Sequence, residues 1–545
     1  MTIEQTSTQD CDQAPIHSLP DEILEAIFLI NTSKLVKQGN ENHPYDPHLT
    51  TLATAQVCQR WRAVALDYPV IWSRIINYEK HSPLWIETLL ARSGSTLIDV
   101  GVDSPFEPVR LQHPQGKPVL QSIFQRISCL KTVSLHIQRD LWESILFLGH
   151  PAPNLEFLNL STSCKFPKCL YPNPLFADEA PCLRRLHLEG CLIDFSSSVL
   201  SNLTVLSVTS IVAVPGRSHL STVLPRLPSV AGWLRVLKNI PALRFLKLIN
   251  VISYFTEHEP PLPFVDLPQL ALLTINTRFF SGISLIDHLN VPPLCGIEFG
   301  LYHISRHEST DHRLLSFLSK QLTHWPQNYS DRYLRANICY GHKILIGNCR
   351  HVGQASHSKD PMLSLFLTFH NLEDSFAFFN QLLELYSSTF STTTTLDLQV
   401  NQEYMGIANV SFPAFSTLYS FTNVKTLNLL GQSPLYLLPL FQNSSLPDHP
   451  LLFPALQSLH LTGTNMEDEE GAMCRVFVAF LQSRVEAGTP LPEIKMVAFL
   501  QSRVEAGTPL PEIKMIGGYI SNQTAEILSR IGNLRISLDP MALKY

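Results

Sequence analysis

One motif, Leu-x-x-Leu-x-Leu with isoleucine or valine standing in at some positions, returns along most of this 545-residue chain. It occurs at Leu130/Val133/Leu135, Leu155/Leu158/Leu160, Leu183/Leu186/Leu188, Leu203/Leu206/Val208, Leu243/Leu246/Leu248 and Leu270/Leu273/Ile275, then at Val424/Leu427/Leu429 and Leu456/Leu459/Leu461. Successive starts lie 25, 28 and 20 residues apart in the first four copies, and 27 and 32 apart in two later pairs. The last two apolar positions of each copy are two residues apart, which puts both side chains on one face of a strand. So short a strand cannot bury that face alone. The copies must stack, each against its neighbours, to make one continuous core. An α/β array is the expected fold class, with one strand and one helical or irregular return per unit.

Period and pattern resemble those of leucine-rich repeats, in degenerate form. Cys191, three residues after Leu188, takes the Asn/Cys position of that consensus, which most other copies lack. The resemblance implies a solenoid with leucines inside and the intervening side chains on a concave sheet. Arg185, His187, Glu189, Phe245, Lys247, Asn428 and His460 fall at such positions and are the candidate substrate-binding residues, with Thr274, Asn276, Thr426 and Ser458 beside them. For any one of them, plain solvation is the commoner role. Between about 281 and 390 the repeat is lost. There "LLSFLSKQLTHW" and "LEDSFAFFNQLLELY" read as helices, and "KILIGNC" and "LSLFLTF" as strands. It resumes over 391–545. That stretch contains "VAFLQSRVEAGTPLPEIKM" twice without change, at 478–496 and 497–515, a recent duplication or an assembly artefact. Each copy reads as helix then strand, Leu491/Ile494/Met496 and Leu510/Ile513/Met515, with a final strand expected at Ile531/Leu534/Ile536.

Apolar residues make up 45% of the chain and charged ones 16%, which favours a well-buried protein over a disordered one. A formal charge of −6 and the lack of a basic run argue against a nucleic-acid partner. The polar opening "MTIEQTSTQDCDQAP", read as a disordered stretch over 1–15, does not look like a signal peptide. Apolar runs such as "LYLLPLF" are too short to span a bilayer. The expectation is a cytosolic or nuclear protein without a membrane partner, whose eleven cysteines are thiols.

Residues 16–30, "IHSLPDEILEAIFLI", predict an amphipathic helix. Ser18 is a candidate cap with Asp21 three residues on, and Pro20 suits the first turn. Leu19, Ile23, Ile27 and Ile30 recur at helical spacing, and Leu24 and Phe28 widen the stripe. After a polar insert at roughly 31–48, Leu52, Ala55, Val57, Cys58, Trp61, Ala65 and Leu66 read as one or two more short helices, closed by Tyr68-Pro69 and Trp72. Helices this small and this apolar leave surface for a partner. The two half-motifs, Leu19-Pro20…Ile23-Leu24…Ile27-Phe28 and Val57-Cys58…Trp61-Arg62…Trp72, resemble the F-box, a three-helix module, here over 16–76; the long insert is a departure from its pattern. The whole is similar to the expanded F-box family of basidiomycete fungi, with repeats over 77–280 following the module.

What this resemblance implies is a non-enzymatic substrate-recognition subunit of an SCF-type (Skp–cullin–F-box) E3 ubiquitin ligase. Leu19, Pro20, Ile23, Leu24, Ile27, Phe28, Val57, Cys58 and Trp61 would meet a Skp-type adaptor and, through it, a cullin, while the repeats hold an unknown protein substrate. The alternative is an interaction scaffold that leads to no ubiquitin transfer. No cofactor or metal is expected. The fragment "HESTDH" (307–312) misses the zincin spacing, since the fourth residue after His307 is Asp311. The groups Cys339/His342/Cys349/His351/His357 and Cys164/Cys169/Cys182/Cys191 lack the tight ligand pairs of structural zinc. No phosphate-binding glycine loop or nucleophile elbow is present in the sequence.

Overall fold

The computed structural model describes residues 19–32, 47–101, 108–111, 116–138, 148–162, 168–169, 174–210, 227–253, 261–293, 295–304, 333–339, 343–347, 363–369, 381–385, 391–400, 416–431, 451–462, 493–497, 512–515 and 535–538, with isolated positions 141, 316, 378, 387, 437, 440 and 484. Helices and strands are mixed, and strand pairing is mostly parallel. The chain divides into two compact units, Met1–Pro225 and Arg226–Tyr545.

The first unit opens with α1 (Asp21–Thr32), α2 (Pro47–Ala55), α3 (Gln59–Asp67), α4 (Pro69–Arg74) and α5 (Pro83–Arg92). Prolines begin α4 and α5, where a missing N–H costs nothing. Ser82 and Cys58 supply side-chain caps to α5 and α3. Ser18 lies outside the described residues; the carbonyl of Pro20, just before α1, accepts from the Ile23 and Leu24 amides. Helix α1 packs on α2, α3 and α4. Inside the group lie Leu24, Phe28, Ala55, Trp61, Ala65, Ile71 and Trp72.

A parallel sheet follows. Strands β1 (Ile98–Val100) and β2 (Val109–Arg110) both pair with β3 (Leu130–His136), after helix α6 (Gly116–Phe124). Next come β4 (Phe157–Ser161), β6 (Arg185–Glu189) and β8 (Val205–Thr209), each beside the last. A two-residue pair, β5 (Lys168–Cys169) with β7 (Cys191–Leu192), lies apart. The register aligns the motif: Val133, Leu158, Leu186 and Leu206 form one row, and Leu135, Leu160, Leu188 and Val208 the next. None of the eight is more than 1% exposed. Cys191 is buried, its thiol 3.4 Å from the Leu160 carbonyl of β4, so it ties the β5/β7 pair to the sheet. Between β5 and β6, Phe176, Ala177 and Asp178 hold φ of 52°, 51° and 61°, three successive left-handed residues without a glycine. Asp178 secures this turn by accepting from the Ser197 hydroxyl at 2.8 Å and the Ser198 amide at 3.2 Å.

In the second unit, α7 (Val230–Lys238) leads to β9 (Phe245–Ile249). After it come β10 (Val265–Asp266), β11 (Leu272–Arg278), α8 (Phe279–Asp287), β12 (Leu289–Asn290) and β13 (Gly296–Ile304). Strands β10 and β12 pair with each other, and β9, β11 and β13 with their neighbours. Ile297 and Phe299 of β13 align with Leu273 and Ile275. The motif therefore persists past 281 as Leu294-x-x-Ile297-x-Phe299, disguised by its phenylalanine.

Three strands then enter in reverse order: β14 (Tyr333–Cys339), β15 (Lys343–Gly347) and β16 (Leu363–Phe369). Strand β16 pairs with β13, β15 with β16, and β14 with β15 and with β17 (Thr395–Val400). Only residues 340–342 join β14 to β15. So short a link permits a hairpin and forbids a parallel crossover, which makes β15 antiparallel to both neighbours. The "KILIG" and "LSLFLTF" segments are strands as expected, and residues 381–385 are helical. Parallel pairing resumes through β18 (Thr426–Gly431), β19 (Ser458–Thr462), β20 (Glu493–Val497), β21 (Glu512–Met515) and β22 (Arg535–Leu538). In β22 it is Ile536 that faces Ile513 and Leu538 that faces Met515. The expected placing of Ile531/Leu534/Ile536 is thus corrected by two residues, a slip that keeps the same residues on the same face.

Candidate functional site

The nine residues expected at an adaptor surface do not share one environment. Leu24 and Phe28 are fully buried and Trp61 is 6% exposed, with the Phe28 and Trp61 rings edge to face at 6.0 Å. These three hold the helices together. Trp72 joins them, donating its indole N–H to the Ala65 carbonyl at 2.7 Å while the Arg92 guanidinium covers its ring at 4.7 Å. Cys58 caps α3, its sulfur accepting from the Trp61 amide at 3.5 Å. Leu19 and Ile27 are half-buried, and Pro20, Ile23 and Val57 are exposed, the last two to 46% and 58%.

Helical geometry accounts for the partition of α1. At about 100° per residue, Leu24, Phe28 and Thr32 make one stripe, and Ile23, Ile27 and Ile30 make another about a quarter-turn away. The first stripe is buried. In the second, Ile30 is 68% exposed, and Leu49 of α2 is exposed to 62%. Ile30 continues the 23/27 spacing and could have been placed in the surface set from the sequence; Leu49, at the edge of the polar insert, could not. Arg60 fixes the start of α1 to α3, pairing with Asp21 at 2.6 Å and donating to the Leu19 carbonyl.

Of the candidate substrate-binding residues, Arg185, His187 and Glu189 belong to the first unit and Phe245, Lys247, Asn428 and His460 to the second. Arg185 and His187 share a support: the guanidinium lies 4.9 Å over the buried Phe157 ring, and the imidazole meets that ring edge to face at 5.4 Å. Beyond them the same sheet face carries Asn159, which donates to Ser134 at 2.9 Å, and His136, 3.0 Å from the Ser161 hydroxyl. Burial, then the Arg110 charge, hold the His136 imidazole below its ordinary pKa against the opposing pull of Glu189, so it is neutral at pH 7. In the second unit Phe245 is 41% exposed on β9, with Lys247 exposed beside it. Asp397, Asn428 and His460 stand side by side on successive strands. There Asn428 donates to Asp397 while its own carbonyl oxygen is buried without a partner, and His460 is 2.8 Å from the Ser458 hydroxyl.

Sequence reasoning missed a cleft of about 1130 Å³ in the first unit. Its walls include Arg74, Tyr78 and Lys80 from the segment ending α4 and following it, and Lys131 and Arg185 from the strands. Tyr78 is 5% exposed and its hydroxyl, buried, has no partner. Burial first, and the Asp99 charge second, push its pKa far above the ordinary value, so the phenol keeps its proton. His48 also lines the cleft, accepting the Trp85 indole N–H at 3.0 Å, and its ring lies 4.3 Å from that of His81.

Among the described residues no group of three or more His, Cys, Asp or Glu could hold a metal ion. The "HESTDH" fragment, His342, Cys349, His351, His357 and Cys164 lie outside them. Buried Cys295 has its thiol pushed up to about 12 by desolvation, the opposite of an activated nucleophile. No described helix is long and apolar enough to cross a membrane. No protein-family model matches the chain, and no curated protein compared with it matches either.

Proposed function

We propose that this chain is the substrate-recognition subunit of an SCF-type E3 ubiquitin ligase: a small N-terminal F-box that docks on a Skp-type adaptor, followed by an irregular leucine-rich-repeat solenoid that binds a protein substrate. The observation that carries this reading is the second stripe of α1. Ile23 and Ile30 of α1 stay open to solvent, as do Leu49 of α2 and Val57, although the helices already have an inner core of their own. Covering these side chains with a partner surface would remove their apolar area from water, which favours docking there. Arg60 holds the stripe in place through Asp21 and Leu19, which limits the ordering cost of docking. The chain performs no bond chemistry. It holds a target near charged ubiquitin and so raises the local concentration of the target's lysines.

The test is co-purification with a Skp-type adaptor. Ile23→Asp combined with Ile30→Asp should abolish it while leaving the fold and thermal unfolding unchanged, because neither side chain is in the core. Leu19→Ala with Pro20→Ala is the milder version. Undiminished adaptor binding by the charged pair would remove this docking surface. A cullin pull-down then separates a ligase subunit from a scaffold, which has no need of one.

A further inference from the structure

We propose that the cleft in the first unit holds an extended acidic peptide segment of the captured protein. The inference rests on the substrate-capture reading above and gives it a ligand class.

Size comes first. About 1130 Å³ is above the roughly 300–1,000 Å³ of most small-molecule pockets, and the walls here are polar rather than mainly apolar. Both features suit a length of peptide better than a metabolite.

Charge decides the sign. Four cations line the cleft, Arg74, Lys80, Lys131 and Arg185, against three carboxylates, Glu79, Asp99 and Glu156. Glu79 is committed, accepting the Arg110 backbone N–H at 2.7 Å, and Glu156 faces Lys131 at 3.9 Å. Four cations against three carboxylates leave the lining one formal positive charge in excess, which an anionic ligand would balance. Arg185 is already oriented by its stack on Phe157, so little of its freedom is lost when its in-plane N–H groups meet a carboxylate. Carboxylates interspersed among these cations also favour a peptide, whose charges alternate with neutral residues, over the unbroken charge of a nucleic-acid backbone.

The test uses the purified full chain and fluorescence anisotropy. The probes are a labelled octapeptide of alternating glutamate and serine, its lysine–serine counterpart, and a single-stranded oligothymidine. The acidic peptide should bind saturably and the other two should not. Arg74→Ala with Lys80→Ala, both exposed positions, should weaken binding about tenfold or more, with unchanged thermal unfolding. Equal binding by the double variant, or preference for the lysine peptide or the oligothymidine, overturns the proposal. Adaptor co-purification is scored on the same preparations. Adaptor bound without acidic-peptide binding overturns this inference and leaves the ligase reading standing; peptide bound without adaptor does the reverse.

Discussion

Leucine, isoleucine and valine meet opposite fates in the helical group and in the strand rows of the first unit. In the strand rows, Val133, Leu158, Leu186, Leu206 and their partners two residues on are sealed to 1% exposure or less. In the helices, residues of the same kind divide, Leu24 at 0% and Ile23 next to it at 46%. The cause is geometric. A strand has two faces and each neighbour extends both, so a row repeated from strand to strand closes on itself. A helix of twelve residues has a circumference, and three small partners cover only part of it. The strand rows therefore complete their own burial, while α1 leaves part of its apolar surface exposed.

The largest effect should come from Leu186→Ala, which opens a cavity between Leu158 and Leu206 of its own row and costs about 2–5 kcal/mol in denaturant unfolding. Ile23→Ala should stay within about 0.5 kcal/mol. Equal losses from the two would break the comparison. Next is Arg484, completely buried, whose guanidinium donates to the carbonyls of Leu452, Phe453 and Leu456 at 2.9–3.2 Å. Burial lowers its pKa to about 10, so it is charged at pH 7. Arg484→Met should cost roughly 3 kcal/mol or more in calorimetry by stranding those acceptors.

A pH effect comes third and is local. The Ser197 side-chain hydrogen bond, opposed by desolvation and aided by the Ser198 hydroxyl and amide, holds the Asp178 carboxyl below its ordinary pKa. A depressed carboxylate contributes above its unfolded pKa and ceases to contribute as pH falls through the folded value. Amide exchange in the left-handed turn should therefore be protected at neutral pH, lose protection as pH drops below about 4, and be unprotected at all pH in Asp178→Ala. The smallest effect is Arg60→Ala. Its ion pair is 38% and 60% exposed at the two side chains, so stability should fall by less than about 1 kcal/mol, while under the proposed docking any adaptor co-purification should fall further as α1 loses its anchor.

The strand rows were legible because period two and recurrence are both written in the residues. Each expected Leu-x-x-Leu-x-Leu copy from 130 to 275 lies in or leads into a strand. Rows that depart from the pattern, Ile297/Phe299 by its phenylalanine and Leu396/Leu398 by the Thr393 three residues before it, escaped notice although their registers are regular. The reversed trio β14–β16 was hidden for another reason. Pairing order depends on which strands meet across long intervals of chain, and local patterning carries no record of that. The surface stripe was half legible. The spacing gave its members, but only the packing of α2, α3 and α4 on α1 decided that Leu24 and Phe28 turn inward and Ile23 and Ile30 outward. The cleft was not legible at all, because Arg74 and Arg185 are more than a hundred residues apart in sequence.

Strands β20 and β21 are copies, and in the sheet each residue stands beside its own duplicate: Ile494 by Ile513, Lys495 by Lys514, Met496 by Met515. Strand β22 consequently docks against a surface that would be the same if one copy were deleted, Ile536 meeting Ile494 in place of Ile513. Nothing in that junction counts how many copies precede it. Genes that gain or lose this nineteen-codon block in frame should encode proteins of different reach with the same two ends, a change in span made without inventing a new contact.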